Sequence, residues 1–123
     1  MRAAEARSHH ERALAIAREI GNRRFEGQSL CNLGELASEQ GDAARATALL
    51  AEGEALLRAI DDSMDLGELL CVRGVADLRR GDRTAASAAL AEAERIATAL
   101  GVEPASGLGQ GLARLRHALA APG

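Results

Sequence analysis

Apolar residues recur every three or four positions along most of the chain, which is the spacing of one face of an α-helix. The clearest stripe lies in 43–60, at Ala46, Leu49, Leu50, Gly53, Leu56, Leu57 and Ile60. Residues branched at Cβ are few and strict alternation does not persist, so the sequence predicts no β-strand. We predict an all-α protein of six helices, at 2–20, 24–40, 43–60, 63–80, 83–100 and 104–120.

The chain repeats itself with a period of forty residues. When 21–60 is laid over 61–100 without a gap, 13 of the 40 positions are identical. The matches include the Leu-Cys pairs at 30–31 and 70–71 and the Gly-Asp pairs at 41–42 and 81–82. A left-handed Gly can end one helix and an Asp can cap the next, so each period predicts two helices. Such helix pairs need neighbours to bury their apolar faces, which is the physical basis of a solenoid.

One part of the repeat resembles a known motif, the tetratricopeptide repeat. The resemblance is carried by Leu30-x-x-Leu33-Gly34-x-x-Ala37, then Gly41-Asp42, then Ala46-x-x-x-Leu50-x-x-Gly53. The stretch 16–24 and the later Asn32-Leu33-Gly34 are similar to the longer forty-residue variety in kinesin light chains, Leu-Gly-Asn adaptors and bacterial signalling proteins. The second copy departs from the motif, with Arg73 and Asp77 in place of Leu33 and Ala37. The resemblance implies a short right-handed α-solenoid of stacked antiparallel helix pairs.

The resemblance also sets the expected domain organisation. We predict a single domain over 1–123, with an orphan second helix at 2–20, repeats at 24–60 and 63–100, and an end helix at 104–120. Pro104 suits the first turn of that end helix. Because 2–20 aligns with the second helix of a repeat, its own first helix is missing. Two interpretations stay open: the chain is the C-terminal part of a larger bacterial regulator, or a second copy covers the open face. An inert spacer and a designed or truncated chain are further alternatives.

The function implied by the resemblance is protein–protein interaction, with a peptide or partner protein bound in a concave groove. Carried over by position, the groove residues are Gln28, Cys31, Asn32, Glu35, Glu39, Glu68, Cys71, Val75, Leu78, Arg79 and Leu115. Asn32 stands out, since family members often bind an extended backbone with an Asn here and an amide both donates and accepts. The alternative for Asn32 is an ordinary exposed helix residue. The mixture of Glu and aliphatic residues favours an apolar peptide with some basic character.

Self-association is the alternative function, and it belongs to the N-terminal helix. An uncovered apolar face on 2–20 predicts homodimerisation through that helix. The residues of this face are Ala6, Ala13, Leu14, Ile16, Ala17 and Ile20.

Composition argues against several other classes of function. The net charge is −3, no basic stripe is present, and Phe25 is the only aromatic residue, so we expect no nucleic-acid partner. No apolar run approaches the roughly 20 residues that a membrane helix needs, so we expect no membrane partner. All 15 basic residues are Arg, which excludes a Schiff-base or phosphate-loop lysine. Two cysteines are too few to staple the domain and fit a reducing compartment, so we expect a cytoplasmic protein.

The remaining reactive residue types do not form a catalytic or metal-binding pattern. Cys31 and Cys71 hold the same place in consecutive repeats, where stacked helices lie too far apart for a disulfide, so we interpret them as packing residues. His9 and His10 are adjacent and therefore point to different helix faces, without the spacing of a metal site. We predict no enzyme activity, no metal site and no cofactor.

Overall fold

The structure, a computed structural model, describes residues 2–122 as six α-helices, with no strand in that range. The helices are α1 (Arg2–Ile20), α2 (Arg23–Glu39), α3 (Ala43–Ala59), α4 (Ser63–Arg79), α5 (Arg83–Leu100) and α6 (Gly107–Ala120). Met1 and Gly123, the two ends of the predicted domain, lie outside the described residues. The all-α class and the order of six helices are confirmed, and consecutive helices pack in pairs as the solenoid prediction requires.

The chain divides into two compact units between Asp62 and Ser63. Unit 1 contains α1, α2 and α3, and α2 packs against both of the other helices. Unit 2 contains α4, α5 and α6, and each of these helices packs against the other two. The first helix of each forty-residue repeat, α2 or α4, packs against both other helices of its unit, and we call it the central helix of that unit.

The turns within the units confirm the Gly-Asp signal in the sequence. Gly41 and Gly81 adopt φ angles of 81° and 83°, in the left-handed region that glycine tolerates best. The next residue, Asp42 or Asp82, accepts a hydrogen bond from the backbone N–H three positions further on. Each carboxylate thereby satisfies one of the free N–H groups at the start of α3 or α5. Asn22 caps α2 in the same way, through Phe25.

The core of unit 1 is a set of leucines packed on glycines. Leu14 of α1 clusters with Leu30 and Leu33 of α2 and with Leu56 of α3. A Cβ atom added to Gly34 would lie 2.5 Å from Cδ2 of Leu50, so the absence of a side chain allows α2 and α3 to approach closely. In the same way, a Cβ atom added to Gly27 would lie 2.6 Å from Cδ2 of Leu57.

Unit 2 also uses glycines on its central helix, but α6 supplies most of the leucines. A Cβ atom added to Gly74 would lie 2.6 Å from Cδ2 of Leu115. One added to Gly67 would lie 3.0 Å from both δ carbons of Leu108 and 3.3 Å from Cγ2 of Ile96. Leu108 and Leu115 are fully buried as a result. The last helix is thus a full member of the core of unit 2.

The prediction that the last helix begins at residue 104 is wrong, because Ser106 caps it instead. The Ser106 hydroxyl accepts a hydrogen bond from the N–H of Gly109 at 3.0 Å and donates one to the carbonyl of Glu103 at 2.7 Å. Pro104 lies in the preceding turn. A Cβ atom added to Gly109 would lie 2.6 Å from the carbonyl oxygen of Pro104, so this turn packs closely against the start of α6. Helix α6 therefore starts at Gly107.

Candidate functional site

The groove residues predicted from the first repeat lie on one face of α2. At 100° per residue, Gln28, Cys31, Asn32, Glu35 and Glu39 fall on the side of the helix opposite Leu30 and Leu33. Asn32 and Glu39 are exposed, while the other three are half-buried. We call these five residues the α2 face. They form a polar strip about three turns long on a helix held on two sides by α1 and α3.

The charge on the α2 face is mainly acidic. Glu35 and Glu39 lie toward its C-terminal end, and the basic residue near its N-terminal end, Arg24, is already in an ion pair. Nε of Arg24 lies 3.2 Å from Oδ2 of Asp62. The α2 face therefore presents a surplus of negative charge, with the Asn32 amide between the two ends.

The corresponding face of α4 is largely covered by α6, and this overturns two of the predicted groove residues. Cys71 is only 2% exposed, since a Cβ atom on Gly111 of α6 would lie 3.3 Å from its Sγ. Leu115 is completely buried against Gly74. Neither residue can touch a partner in a groove, so the assignment of Cys71 and Leu115 to the groove is wrong.

Glu68 is also engaged by α6 rather than directed into open space. Its carboxylate lies against Gly107, the first residue of α6, where an added Cβ atom would clash with Oε1. Negative charge is favoured at a helix N-terminus, because the free N–H groups there carry partial positive charge. Of the groove residues predicted on α4, Val75 and Leu78 are half-buried and Arg79 is exposed.

Two glycines of α6 are the sequence signal for this covering. Gly107 and Gly111 are four residues apart, so they lie on the same side of α6 and let its backbone approach α4 at Glu68 and Cys71. Taken alone, glycines within a helix only disfavour helix formation. Their role depends on the neighbouring helix.

The environment of Cys71 makes its thiol unreactive at neutral pH. Burial is the main cause, and the nearby charge of Glu68 a smaller one, of a rise in the pKa of Cys71 from 9.0 to about 11. Arg114 and Arg116 act in the opposite direction but do not outweigh burial. Because the thiolate is the nucleophile and the metal ligand, Cys71 supplies neither function there. Neither Cys31 nor Cys71 forms a disulfide.

The residues proposed for self-association are separated by the structure into an inner and an outer group. Leu14 and Ala17 are buried within unit 1, where Leu14 joins the leucine cluster. Ile16 and Ile20 are 44% and 67% exposed. Ala6 and Ala13 are half-buried between the two groups. An exposed aliphatic strip thus runs along the outer side of α1.

Other parts of the described chain offer less chemistry. His9 and His10 contact each other edge to face, with ring centroids 5.5 Å apart, and residues 2–122 contain no group of three His, Cys, Asp or Glu placed to hold a metal. A cavity of about 280 Å³ lies in unit 2, lined by Ser63, Glu92, Arg95, Ile96, Ala99 and Leu100. None of the six described helices is sufficiently long and apolar to cross a membrane.

Comparison with known proteins gives one family match. A family model described as tetratricopeptide repeat matches residues 1–59, the part of the chain that contains α1, α2 and α3. No curated protein and no solved structure matches the chain.

Proposed function

We propose that this chain, whose residues 1–59 belong to the tetratricopeptide-repeat family, binds a partner protein or peptide through the α2 face. Tetratricopeptide repeats are non-catalytic scaffolds for protein–protein contact. The observation that supports this location is the exposed Asn32 amide beside two glutamates, on a helix whose opposite side is fixed in a leucine core.

The chemistry of the α2 face favours an extended peptide with a basic residue. The amide of Asn32 can accept a hydrogen bond from one backbone N–H and donate one to a C=O. Glu35 and Glu39 lie about 4.5 and 10.5 Å further along the helix axis. An extended peptide advances about 3.3 Å per residue, so a Lys or Arg one to three residues from the one bound at Asn32 reaches a carboxylate. Charge-assisted hydrogen bonds of that kind are the stronger ones.

A peptide library displayed on phage and selected on the full chain tests this proposal. We expect the selected peptides to be rich in Arg or Lys, and their affinity to fall about tenfold with Asn32→Ala, the loss of a hydrogen-bonded group. The double variant Glu35→Gln, Glu39→Gln is expected to weaken binding most at low salt. Ser87→Ala, at an exposed position on α5, is the matched control. Affinities for Asn32→Ala and the double variant equal to that of the control would exclude the α2 face.

The wider setting of the protein is also a proposal. Two cysteines that form no disulfide favour a reducing compartment and hence the cytoplasm. A net charge of −3 without a basic stripe favours protein partners over nucleic acid. The richness in Ala and Arg supports a bacterial origin, and the family supports a role as part of a signalling protein.

A second function, self-association, is favoured by a specific observation on α1. Ile16 and Ile20 are among the large apolar side chains that the structure leaves exposed, and both lie on the outer side of this helix. Their contact with another copy of the chain would remove apolar surface from water, at roughly 25 cal/mol for each Å².

A further inference from the structure

We propose that two copies of this chain associate through an antiparallel pairing of their α1 helices. The proposal rests on the self-association function above and deepens it, because it names the helix, the orientation and the register. Three independent features of α1 support it: an apolar position that is covered elsewhere in the chain, a heptad seam, and an edge of alternating charge.

The first feature is the position of Ile16 in the repeat. Ile16, Leu56 and Ile96 follow one another at intervals of forty residues. Leu56 is only 8% exposed, in the cluster that includes Leu30 of α2, and Ile96 contacts the space left by Gly67 of α4. A neighbouring helix therefore covers this position in α3 and α5. On α1 the same position, Ile16, is 44% exposed, which leaves apolar surface against which another helix can pack.

The second feature is the spacing of the residues on the outer side of α1. Ala6, His9, Ala13, Ile16 and Ile20 are separated by steps of three, four, three and four residues. Alternation of three and four is the a and d pattern by which two helices pack side by side. Each of these five positions is exposed or half-buried. We call this row the α1 seam.

The third feature is the contrast between the charges on the two edges of α1. On the inner edge, Glu11 pairs with Arg45 at 3.2 Å and Arg18 pairs with Glu52 at 2.8 Å, so α1 is tied to α3. The edge beside the α1 seam carries three charged residues at heptad spacing. They are Glu5, Arg12 and Glu19, all exposed and without a salt bridge in the described part of the chain.

These charges select an antiparallel orientation. When two identical helices pair antiparallel, about a two-fold axis perpendicular to them, the same edge of each helix faces the other copy. Arg12 then meets Glu19 of the partner subunit, and the two-fold axis creates the pair twice. In a parallel pair, the charged edge of one α1 helix would instead face the other edge of the second α1 helix. That edge consists of Ala3, His10 and Ala17, so Arg12 would gain no ion pair.

The charges also select one register of the antiparallel pair. With Arg12 beside Glu19 of the partner subunit, Ile16 lies opposite Ala13 and Ile20 lies opposite His9, so large side chains face smaller or flatter ones. A shift by one heptad would place Arg12 against Arg12 and Glu5 against Glu19, and like charges repel. A shift by two heptads restores attraction but leaves Ile16 and Ile20 without a partner.

The overlap in this register is short, so the association is weak. Residues 9–20 of both copies pair over about 18 Å of helix. Interfaces below about 1,200 Å² are characteristic of transient complexes, and we therefore expect the dimer to depend strongly on protein concentration.

Sedimentation equilibrium of the full chain, from about 10 to about 500 µM, tests the proposal. We expect the average mass to rise toward twice 12.8 kDa with concentration. Ile20→Asp, at the more exposed of the two isoleucines, is expected to keep the chain monomeric while its circular dichroism spectrum remains that of the parent. A chain that remains monomeric throughout the range overturns the proposal.

Exchange of the two edge charges tests the orientation. Arg12→Glu and Glu19→Arg are each expected to weaken the dimer about tenfold at low salt, because two attractive pairs become repulsive. The double variant restores the attraction and is expected to recover the parent affinity. Arg7→Glu, at an exposed position off the α1 seam, is the control for net charge. A dimer insensitive to the exchange overturns the antiparallel α1 pairing but leaves self-association through another face, and peptide binding to the α2 face is measured separately.

Discussion

Gly34 of unit 1 and Gly74 of unit 2 are equivalent residues of the forty-residue repeat, yet they receive leucines from different helices. Gly34 lies against Leu50 of α3, the second helix of the same repeat. Gly74 lies against Leu115 of α6. The repeat places a gap in the surface of its first helix, and the helix that lies alongside determines which side chain fills it. Equivalent positions in the repeat thus share a glycine, but the leucine that packs on that glycine differs between the two units.

A second difference concerns the residue types at equivalent positions 33 and 73 of the two central helices, and the contacts that these residues make. In unit 1, Leu33 joins Leu14 of α1 in an apolar cluster. In unit 2 its equivalent Arg73 lies 3.7 Å from the buried carboxylate of Asp77, which also accepts a hydrogen bond from Arg80 at 2.7 Å. This ion pairing raises the pKa of Arg80. The other carboxylate oxygen of Asp77, Oδ2, is buried without a hydrogen-bond partner among the described residues.

The largest expected effect is the loss of stability when the leucine that fills the space beside each equivalent glycine is shortened to alanine. Leu50→Ala and Leu115→Ala should each lower the free energy of unfolding by about 3 kcal/mol, since both side chains are buried and fill the space beside a glycine. Leu90→Ala, at the equivalent of Leu50 but half-buried, should lower it by only about 1 kcal/mol. Urea denaturation followed by circular dichroism measures all three. An equal loss at Leu50 and Leu90 would show that both repeats pack in the same way.

The equivalent cysteines of the two units, Cys31 and Cys71, are expected to differ in their effect on how the free energy of unfolding depends on pH. The folded state holds the pKa of Cys71 at about 11 against 9.0 when unfolded, so folding favours the protonated thiol. The stabilisation is complete below pH 9 and is lost as the pH rises through 11, about 2–3 kcal/mol in all. The chain contains no Lys and no Tyr, so few other groups titrate in that window.

Urea denaturation between pH 8 and pH 11.5 checks this expectation. The parent should lose stability across the window, and Cys71→Ala should remove most of the slope. Cys31→Ala is the matched control, because Cys31 is half-buried at the equivalent position of unit 1. A slope that persists in Cys71→Ala would assign the effect to another group.

Compensating substitutions test the glycine contact in unit 2 directly. Gly74→Val should cost about 2 kcal/mol, because the added side chain overlaps the δ carbons of Leu115. Adding Leu115→Ala makes room for the valine, so the double variant should be more stable than the sum of the single effects predicts. Adding Leu90→Ala should give no such compensation. Compensation by Leu90→Ala instead would mean that Gly74 contacts α5 as Gly34 contacts α3.

The elements set by local chemistry could be predicted from the sequence. The first five helices begin and end within a residue of the predicted positions, because each of them is followed by a residue with a positive φ angle. These residues are Gly21, Gly41, Asp61, Gly81 and Gly101. The start of α6 was missed because Pro104 and Ser106 are both good helix-start residues. Which of them begins the helix is settled by the hydrogen bond between Ser106 and Gly109.

The candidate site was only partly predictable, because exposure depends on neighbouring helices. The α2 face was identified by its place in the repeat and is polar, with Asn32 exposed. The same rule failed on α4 at Cys71, since nothing local to that residue indicates that α6 covers it. The outer side of α1 shows the same dependence, as Leu14 and Ile16 are two residues apart but only Leu14 is buried.

The smallest expected effect concerns the feature in which the two units agree. Asp42 accepts a hydrogen bond from the N–H of Arg45 at 3.2 Å, and Asp82 accepts one from Ala85 at 3.0 Å. Asp42→Ala and Asp82→Ala should each cost about 1 kcal/mol, because alanine leaves that N–H without its acceptor. The matching changes to Asn keep an acceptor and should cost much less. Thermal unfolding of the four variants measures this. If one alanine variant proved several times more costly than the other, the turns would differ as the glycine contacts do, whereas equal costs would confine the divergence of the units to helix packing.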